Sequence, residues 1–294
     1  MFLCDIDLVI CSALTKGIRL SGIIKKKYCS RFVFLTSKRK TDTHLNSVTQ
    51  TYLYAASVLP LEDESLYRLA YDNASSDRRQ KIDGFRFAKD RRLSLGADML
   101  LQYALREANT EYDPARIKIG AYGKPSLEDM PLHFNISHAE DYVICAISAC
   151  EIGCDIEKIR SADLRIAERF FCPEEYSHIA SQTSAADRDL LFYRYWTLKE
   201  SFIKATGMGL NLPFNEFCIE LGEESLAEIC AEIHAMLGEE SPDKLGEDIH
   251  IRQSFDQRKY SFTEFSSILG YCCAVCTTGD QQNAELKMID LSKM

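Results

Sequence analysis

Apolar residues alternate with polar ones, or form short continuous runs, in several segments of the chain. Both patterns are typical of β-strands, since alternate side chains of a strand face opposite sides of its sheet. A run at 134–148 reads as two strands joined by a tight turn, which predicts a hairpin. The predicted strands lie in TYLYAASVLP (51–60), IKIGAYGKP (117–125), FNISHAEDYVICAIS (134–148), IGCDIEKI (152–159) and FCIEL (217–221), and near 259–265 and 270–277.

Other segments carry apolar residues at the three- and four-residue spacing of a buried helix face. The clearest runs from Ser94 to Glu107, and another spans 186–206. Further helices are expected after Asp63, through SSDRRQKIDGFRF (75–87) and near 163–180.

Strands and helices recur in a similar order on both sides of residue 150. We therefore predict an α+β fold made of two similar halves, residues 49–150 and 151–280, with a C-terminal tail at 281–294. Residues 1–48 are basic and show no sustained period, which indicates a poorly ordered extension or an upstream start codon chosen in error. The acidic stretch at 222–249 predicts a helix-bearing surface insertion.

The chain of 294 residues is 46% hydrophobic and carries a formal net charge of −9. This charge argues against a general nucleic-acid binder, although it allows a local basic pocket for a phosphorylated ligand. The sequence shows neither a membrane-spanning segment nor a signal peptide, and we expect a cytoplasmic monomer. The 12 cysteines are therefore expected to be reduced thiols. Cys273 and Cys276 have CxxC spacing but no second such pair, so packing is the expected role.

Two carboxylates interrupt the apolar strand at 152–159. Asp155 and Glu157 lie two residues apart and must project from the same face, opposite Cys154 and Ile156. A buried pair of acids is costly unless a cation joins them, and hard oxygen ligands suit Mg²⁺. A solvated strand end is the alternative.

A third acidic residue of interest, Glu200, lies among aromatic residues on the helix predicted at 186–206. Lys204 follows one turn later on the same face. The pair is either a surface salt bridge, or a third metal carboxylate beside a lysine that binds phosphate.

Ser137 and His138 meet at the end of a strand. Neighbouring strand residues point to opposite faces, and no GxSxG turn surrounds them, so a nucleophilic Ser–His pair is disfavoured. A phosphate-binding histidine, or one that caps a turn, fits better. The basic residues that could bind a polyanion are Arg78, Lys81, Lys89, Arg91, Arg92 and Lys124.

Four segments in this order resemble the 4′-phosphopantetheinyl transferases, specifically the larger subfamily with two similar halves that is typified by the surfactin-synthetase activating enzyme. The segments are YGKP (122–125), FNISHA (134–139), IGCDIE (152–157) and WTLKESFIKATGMGL (196–210). The resemblance spans roughly residues 50–280. It implies two halves, each with a small antiparallel sheet and a long helix, and a cleft for coenzyme A between them. It also implies Mg²⁺-dependent transfer of the phosphopantetheine arm to a serine of an apo carrier protein, with release of adenosine 3′,5′-bisphosphate.

The resemblance also implies roles for individual residues. The metal ligands would be Asp155, Glu157 and Glu200. Glu200 would bind directly or through water and, unless metal-bound water acts first, would take the serine proton. Lys204 would share the catalysis and contact a coenzyme A phosphate. The remaining coenzyme A contacts would be Arg78, Lys81, Ser94, Lys124, Pro125, Ser137, His138 and Asp155.

Ala139 replaces a serine that is frequent in the family, and we expect a small effect only. Two other functions remain open at this level. One is a non-catalytic protein that binds coenzyme A or a carrier, and the other is an Mg²⁺-dependent phosphoester hydrolase. The carrier itself could be peptidyl, polyketide or fatty-acyl.

Overall fold

The computed structural model describes residues 50–222, 244–245, 249–279 and 284–294, with backbone alone at 244–245. Its strands are β1 (Thr51–Ser57), β2 (Ile117–Ile119), β3 (Pro125–Leu127), β4 (His133–Ala139), β5 (Tyr142–Ser148), β6 (Ile152–Lys158), β7 (Cys218–Leu221), β8 (Lys244–Leu245), β9 (Ile249–Arg252), β10 (Tyr260–Phe265), β11 (Tyr271–Thr278) and β12 (Ala284–Ile289). Its α-helices are α1 (Glu64–Asn73), α2 (Ser76–Asp83), α3 (Ala88–Glu107), α4 (Leu164–Phe170), α5 (Pro173–Ala180) and α6 (Ala185–Thr206).

Three strands and a long helix follow the same topology in the two halves, whereas the fourth strand of each sheet does not correspond. In the first half the order β12-β1-β5-β4 places the last hairpin strand, β5, between β1 and β4. In the second half the order β6-β11-β10-β8 places β11 between β6 and β10 in the same way. A long helix connects the first strand to the hairpin in both halves: α3 in the first and α6 in the second. The α+β class is confirmed, with small sheets that are antiparallel except for the β1–β12 pair, and the repeated order of three strands makes the similarity of the two halves visible.

Three apolar clusters arrange these elements as helix, sheet, sheet and helix. One cluster lies between α3 and the first sheet and includes Tyr54, Leu100 and Val143. A second lies between the two sheets, where Leu53 and Ile144 belong to the same cluster as Val275. The third joins α6 to the second sheet. Strands β1, β5 and β11 are therefore buried on both faces, one against the other sheet and one against a long helix, which explains their nearly continuous apolar sequences.

The main elements follow the predicted pattern, with differences at their ends. Helix α3 begins at Ala88, six residues before the predicted apolar stripe. The stripe does not reach the helix start because the first turn is polar and faces away from the core. The region near 163–180 holds two helices, since Cys172 is extended and Pro173 starts a new one. Asp63 caps α1 by accepting backbone hydrogen bonds from Ser65 and Leu66.

The C-terminal segment predicted as a tail contains β12, which pairs in parallel with β1. This part of the chain therefore completes the first sheet. The predicted N-terminal extension lies outside the described residues. The insertion predicted at 222–249 also lies outside them, apart from residue 222, strand β8 and Ile249 at the start of β9. Of the residues that the structure describes, no helix is long and apolar enough to span a membrane.

The cysteine predictions divide into two outcomes. Cys172 and Cys218 form a disulfide, so the expectation of reduced thiols is wrong for this pair. The two residues are 46 positions apart, and only the fold brings the start of α5 beside β7. The packing role of the CxxC residues is confirmed, since Cys273 lies in the core between the sheets and Cys276 in the core below α6.

Candidate active site

The two faces of β6 have different environments. Ile152, Cys154 and Ile156 are fully buried in the core between the sheets. Gly153, Asp155 and Glu157 alternate with them and therefore share the opposite face, which meets α6. The sequence prediction that the two carboxylates share one face is confirmed. Asp155 is only 2% exposed, so its side chain is not on a solvated strand end, although Glu157 is half-buried.

Gly153 allows α6 to approach β6 at backbone distance. A Cβ atom at this position would lie 2.0 Å from the Ser201 carbonyl oxygen and 2.3 Å from the Ala205 amide nitrogen. No side chain fits there, so the last two turns of α6 rest directly on the strand. This contact brings Lys204 alongside Asp155, although the two are 49 residues apart.

Three polar side chains from three elements form a buried cluster. The Lys204 ammonium donates to Asp155 Oδ1 at 2.6 Å and to Ser137 Oγ at 3.1 Å. Ser137 Oγ also lies 2.8 Å from Asp155 Oδ1 and donates to it. Ser137 belongs to β4 in the first half, whereas the other two residues belong to the second. The cluster therefore spans the junction of the halves, where β4 runs beside β6.

Glu200 lies one turn before Lys204 on α6 and is 3% exposed. Its carboxylate, together with Asp155 and Glu157, provides the hard oxygen donors that Mg²⁺ prefers. The donor chemistry therefore fits a magnesium ion. Among the described residues, the group of three donors within 4.8 Å of one another is Cys172, Glu174 and Cys218, which does not include these acids. The two cysteines of that group are joined in the disulfide, so their thiolates are not available to a metal.

His138 projects from β4 on the face opposite to Ser137, as strand alternation predicts. Burial, followed by the nearby charge of Lys204, lowers the pKa of His138 to about 4. Asp90 and Lys81 also act on His138 through their charges. Lys81 on α2 therefore lies in the electrostatic neighbourhood of the same cluster, whereas the Ser137 hydroxyl is directed at Asp155.

The first-half basic residues have mixed environments. The Arg78 guanidinium Nε lies 3.0 Å from Asp98 Oδ1, and Asp98 is almost fully buried. Asp98 also accepts hydrogen bonds from Tyr112 and Gln102. Arg78 therefore helps to fix α2 on α3, whatever else it binds. The hydroxyl of Ser94 is buried on α3 without a hydrogen-bond partner among the described residues.

The other basic residues of this region form surface contacts. Lys89 pairs with Glu140, and Arg92 pairs with Glu62 at 3.1 Å. Arg91 donates to the Phe85 carbonyl oxygen. These three residues fit the interpretation as surface charges.

Lys124 lies in the wall of a cavity of about 210 Å³. Pro125 and Phe134 contribute apolar wall, and Gly207 at the end of α6 closes one side. The Lys124 ammonium donates to Glu151 Oε2 at 2.8 Å and to the Ala205 carbonyl oxygen at 3.2 Å. The YGKP turn, the connection between the halves and the end of α6 therefore meet at this lysine.

Sequence reasoning missed an ion pair inside the second half. Lys199 is fully buried and donates to Glu175 Oε1 at 2.7 Å and to the Phe217 carbonyl oxygen at 2.8 Å. Glu175 also accepts from the amides of Cys172 and Ile219. Burial lowers the pKa of Lys199 to about 8, against the opposing effect of Glu175. The signal available in the sequence was a lysine between the apolar residues Leu198 and Phe202 of a buried helix, next to Glu200.

Comparisons with known proteins agree with this architecture. A model of the 4′-phosphopantetheinyl transferase superfamily matches residues 151–276, and a model described as 4′-phosphopantetheinyl transferase, N-terminal, matches residues 59–150. A 4′-phosphopantetheinyl transferase of Bacillus subtilis is 40% identical over 153 residues, which cover 51% of this chain and 67% of the relative. The 4′-phosphopantetheinyl transferase Sfp of Bacillus subtilis strain 168 is 38% identical over 53% of this chain and 70% of its own.

A solved structure, the holo-[acyl-carrier-protein] synthase of Thermotoga maritima, is 16% identical, with a TM-score of 0.30 over 45% of this chain and 64% of that one. No inference is drawn from so low a score.

The two family models cover both halves and meet between residues 150 and 151, in the connection from β5 of the first half to β6 of the second. The chain belongs to the 4′-phosphopantetheinyl transferase superfamily. It is an enzyme of this class, whose members transfer the phosphopantetheine group of coenzyme A to carrier proteins. Nothing in the comparisons favours a non-catalytic protein.

Proposed function

We propose that transfer takes place at the junction of the halves, with Mg²⁺ held by Asp155, Glu157 and Glu200. The cluster of Ser137, Asp155 and Lys204 supports this location most strongly. It brings the Ser137 hydroxyl of the first half within 3.1 Å of the Asp155 carboxylate and the Lys204 ammonium of the second half. The hydroxyl and the ammonium can donate to an anion, and the carboxylate can bind a metal ion. Such a group suits a diphosphate that must be bound together with its metal.

The residues have complementary tasks in the proposed reaction. Lys204 offsets negative charge on the diphosphate of coenzyme A, and His138 and Lys81 extend the cationic and polar surface around it. Ser137 and Lys204 orient the Asp155 carboxylate. Positioning and charge neutralisation of this kind supply most of the catalysis in phosphoryl transfer.

The proposed step exchanges one P–O bond for another. The carrier serine oxygen attacks the phosphorus bearing the pantetheine arm, and the bond from that phosphorus to the departing bisphosphate breaks. Glu200, buried beside the cluster, accepts the serine proton. Bound Mg²⁺ would polarise the diphosphate and neutralise the leaving group. The leaving group departs as adenosine 3′,5′-bisphosphate.

Lys124 and Pro125 are proposed to hold the adenosine end of coenzyme A in their cavity, with Arg78 and Ser94 as further contacts from the first half. The acceptor is proposed to be an apo peptidyl, polyketide or acyl carrier protein, as for the synthetase-activating enzymes that the sequence resembles. The net charge of −9 argues against a nucleic-acid partner. A cytoplasmic monomer without a membrane partner is part of the proposal.

A transfer assay tests this proposal directly. The protein is incubated with coenzyme A, Mg²⁺ and a panel of apo carriers, and each carrier is weighed by mass spectrometry. Addition of the pantetheine arm is expected, and Asp155→Ala and Glu200→Gln should each abolish it while the circular dichroism spectrum is unchanged. Glu128→Gln, which alters a half-exposed pair with Lys118, is the matched control and should retain activity.

Two results would contradict the proposal. One is the absence of transfer to every carrier in the panel, and the other is full activity of either site variant. Release of free phosphopantetheine without a carrier would instead identify a hydrolase. Mg²⁺ should also raise the melting temperature, and more so with coenzyme A present.

A further inference from the structure

We propose that Glu151 is a positioning residue of this transferase, which holds the Lys124 ammonium in the orientation needed to bind the adenosine end of coenzyme A. This inference rests on the proposed function, because it takes coenzyme A as the occupant of the cavity. Glu151 lies outside every segment that carries the sequence resemblance. It lies in the connection from β5 to β6, where the chain passes from one half to the other.

The Lys124 ammonium is held by two acceptors from different parts of the chain. A lysine ammonium has three N–H donors that rotate together, so two fixed acceptors determine where the third points. Of the described residues, Glu151 and Ala205 are the two that accept hydrogen bonds from Lys124. The third donor is left for a ligand, and Lys124 lines the cavity.

The Lys124 side chain is supported by the end of helix α6. Ala205 belongs to the last turn of α6, where Gly207 adopts the left-handed conformation that ends the helix. A Cβ atom on Gly207 would lie 3.4 Å from Lys124 Cδ, so the lysine side chain runs along the end of the helix. With only 15% of the Lys124 side chain exposed, its ammonium has little freedom to find other partners.

The Glu151 carboxylate contacts two side chains that line the cavity. Its Oε2 accepts from Lys124, whereas its Oε1 lies 3.5 Å from His133 Nδ1. Burial alone would raise the pKa of Glu151, but the hydrogen bond and charge of Lys124, together with the charges of His133 and Arg258, lower it. Glu151 is therefore ionised at neutral pH, and its two oxygens are divided between two side chains of the cavity wall.

A carboxylate in an anion site also has a cost, because it neutralises part of the charge that attracts the ligand. The two effects of Glu151 can be separated by substitution. Glu151→Gln keeps an acceptor oxygen and removes the negative charge, whereas Glu151→Ala removes both. If Glu151 acts by orienting Lys124, the glutamine variant should bind coenzyme A about as well as the wild type, and the alanine variant should bind it worse.

The experiment measures coenzyme A affinity by calorimetry and the KM and kcat of transfer for both variants. Glu151→Ala is expected to raise Kd and KM for coenzyme A about tenfold, with kcat within about twofold of wild type. Glu151→Gln should stay within about threefold in Kd. A merely structural role would lower the melting temperature and kcat and would leave KM unaffected. The control is Glu128→Ala, which removes the acidic partner of Lys118; neither of these two residues lines the cavity.

A double-mutant cycle completes the test. In the Lys124→Ala background, Glu151→Ala should produce no further loss of affinity, because its effect passes through Lys124. An unchanged or lower Kd in the single variant Glu151→Ala would overturn the proposal, as would an equal loss in the two backgrounds. Calorimetry separates this failure from that of the proposed function, since a wild-type protein that binds coenzyme A without transferring its arm refutes the latter alone.

Discussion

Replacing Gly153 with alanine should separate the two elements that build the site. The added methyl would lie 2.0 Å from the Ser201 carbonyl oxygen, 2.3 Å from the Ala205 nitrogen and 2.8 Å from the Lys204 carbonyl carbon. Ordinary contacts of a Cβ atom begin near 3.4 Å, so α6 would have to retreat by about 1 Å or more. All three atoms belong to helix backbone, which cannot rotate away as a side chain can.

The expected cost is about 3 kcal/mol of the free energy of unfolding, the upper part of the range for overpacking in a core. This is a large part of the roughly 5–15 kcal/mol that stabilises a typical domain. The retreat of the helix would also lengthen the 2.6 Å contact between Lys204 Nζ and Asp155 Oδ1. Transfer activity should therefore fall even at temperatures where the variant is still folded.

Urea unfolding followed by tryptophan fluorescence measures the first effect. Trp196 is the only tryptophan in the chain and lies on α6, stacked on Phe192 in the core below that helix. Gly84→Ala is the control, because Gly84 is exposed with φ −71° and its added methyl would approach no atom closer than 3.3 Å. A Gly153→Ala protein with the wild-type midpoint and full activity would refute this account of how α6 is placed.

Three further predictions concern the surroundings of the site. Reducing the disulfide, or replacing Cys172 and Cys218 with serine, should lower the free energy of unfolding. The expected loss is about 4 kcal/mol, because opening a loop of 46 residues increases the entropy of the unfolded chain. Equal urea midpoints with and without reductant would contradict this. Lys199→Met should lower the free energy of unfolding by about 3–5 kcal/mol, because it leaves the buried Glu175 carboxylate without its cation. Adding Glu175→Leu should recover part of this loss in the same unfolding assay. A double variant no more stable than the single one would show that the unpaired charge is not the cause. The pKa of His138 is about 4 in the folded protein, below its ordinary value of 6.5, so the unfolded chain binds a proton at a higher pH than the folded one. Stability should therefore fall as the pH drops from about 6.5 towards 4. The melting temperature of His138→Gln should fall less steeply over that window, and identical slopes would argue against the lowered pKa.

Much of the fold follows from local pattern. The apolar stripe of α6 and the alternation along β4 and β6 were sufficient to predict these elements within a few residues. Alternation also places Asp155 and Glu157 on one face and separates Ser137 from His138, because a strand has a fixed two-residue period. A helix start such as that of α3 was less accessible, since its first turn is exposed and carries no apolar signal.

Contacts between distant segments required the tertiary structure. The sequence contains Gly153 but does not show that α6 rests on it, which is the reason that Lys204 reaches Asp155. Likewise, Arg78 has many possible acidic partners in the sequence, and packing of α2 on α3 selects Asp98.

The sequence by itself determined the elements, the faces of their side chains and, through four short segments, the resemblance to the phosphopantetheinyl transferases. The tertiary structure decided which polar groups are partners: Lys204 with Ser137 and Asp155, Lys124 with Glu151, and Cys172 with Cys218. The physical reason is that periodicity is set by backbone geometry within a few residues, whereas pairing depends on how sheets and helices stack. A buried charge then takes the partner that the stacking places within reach, whatever its distance along the chain.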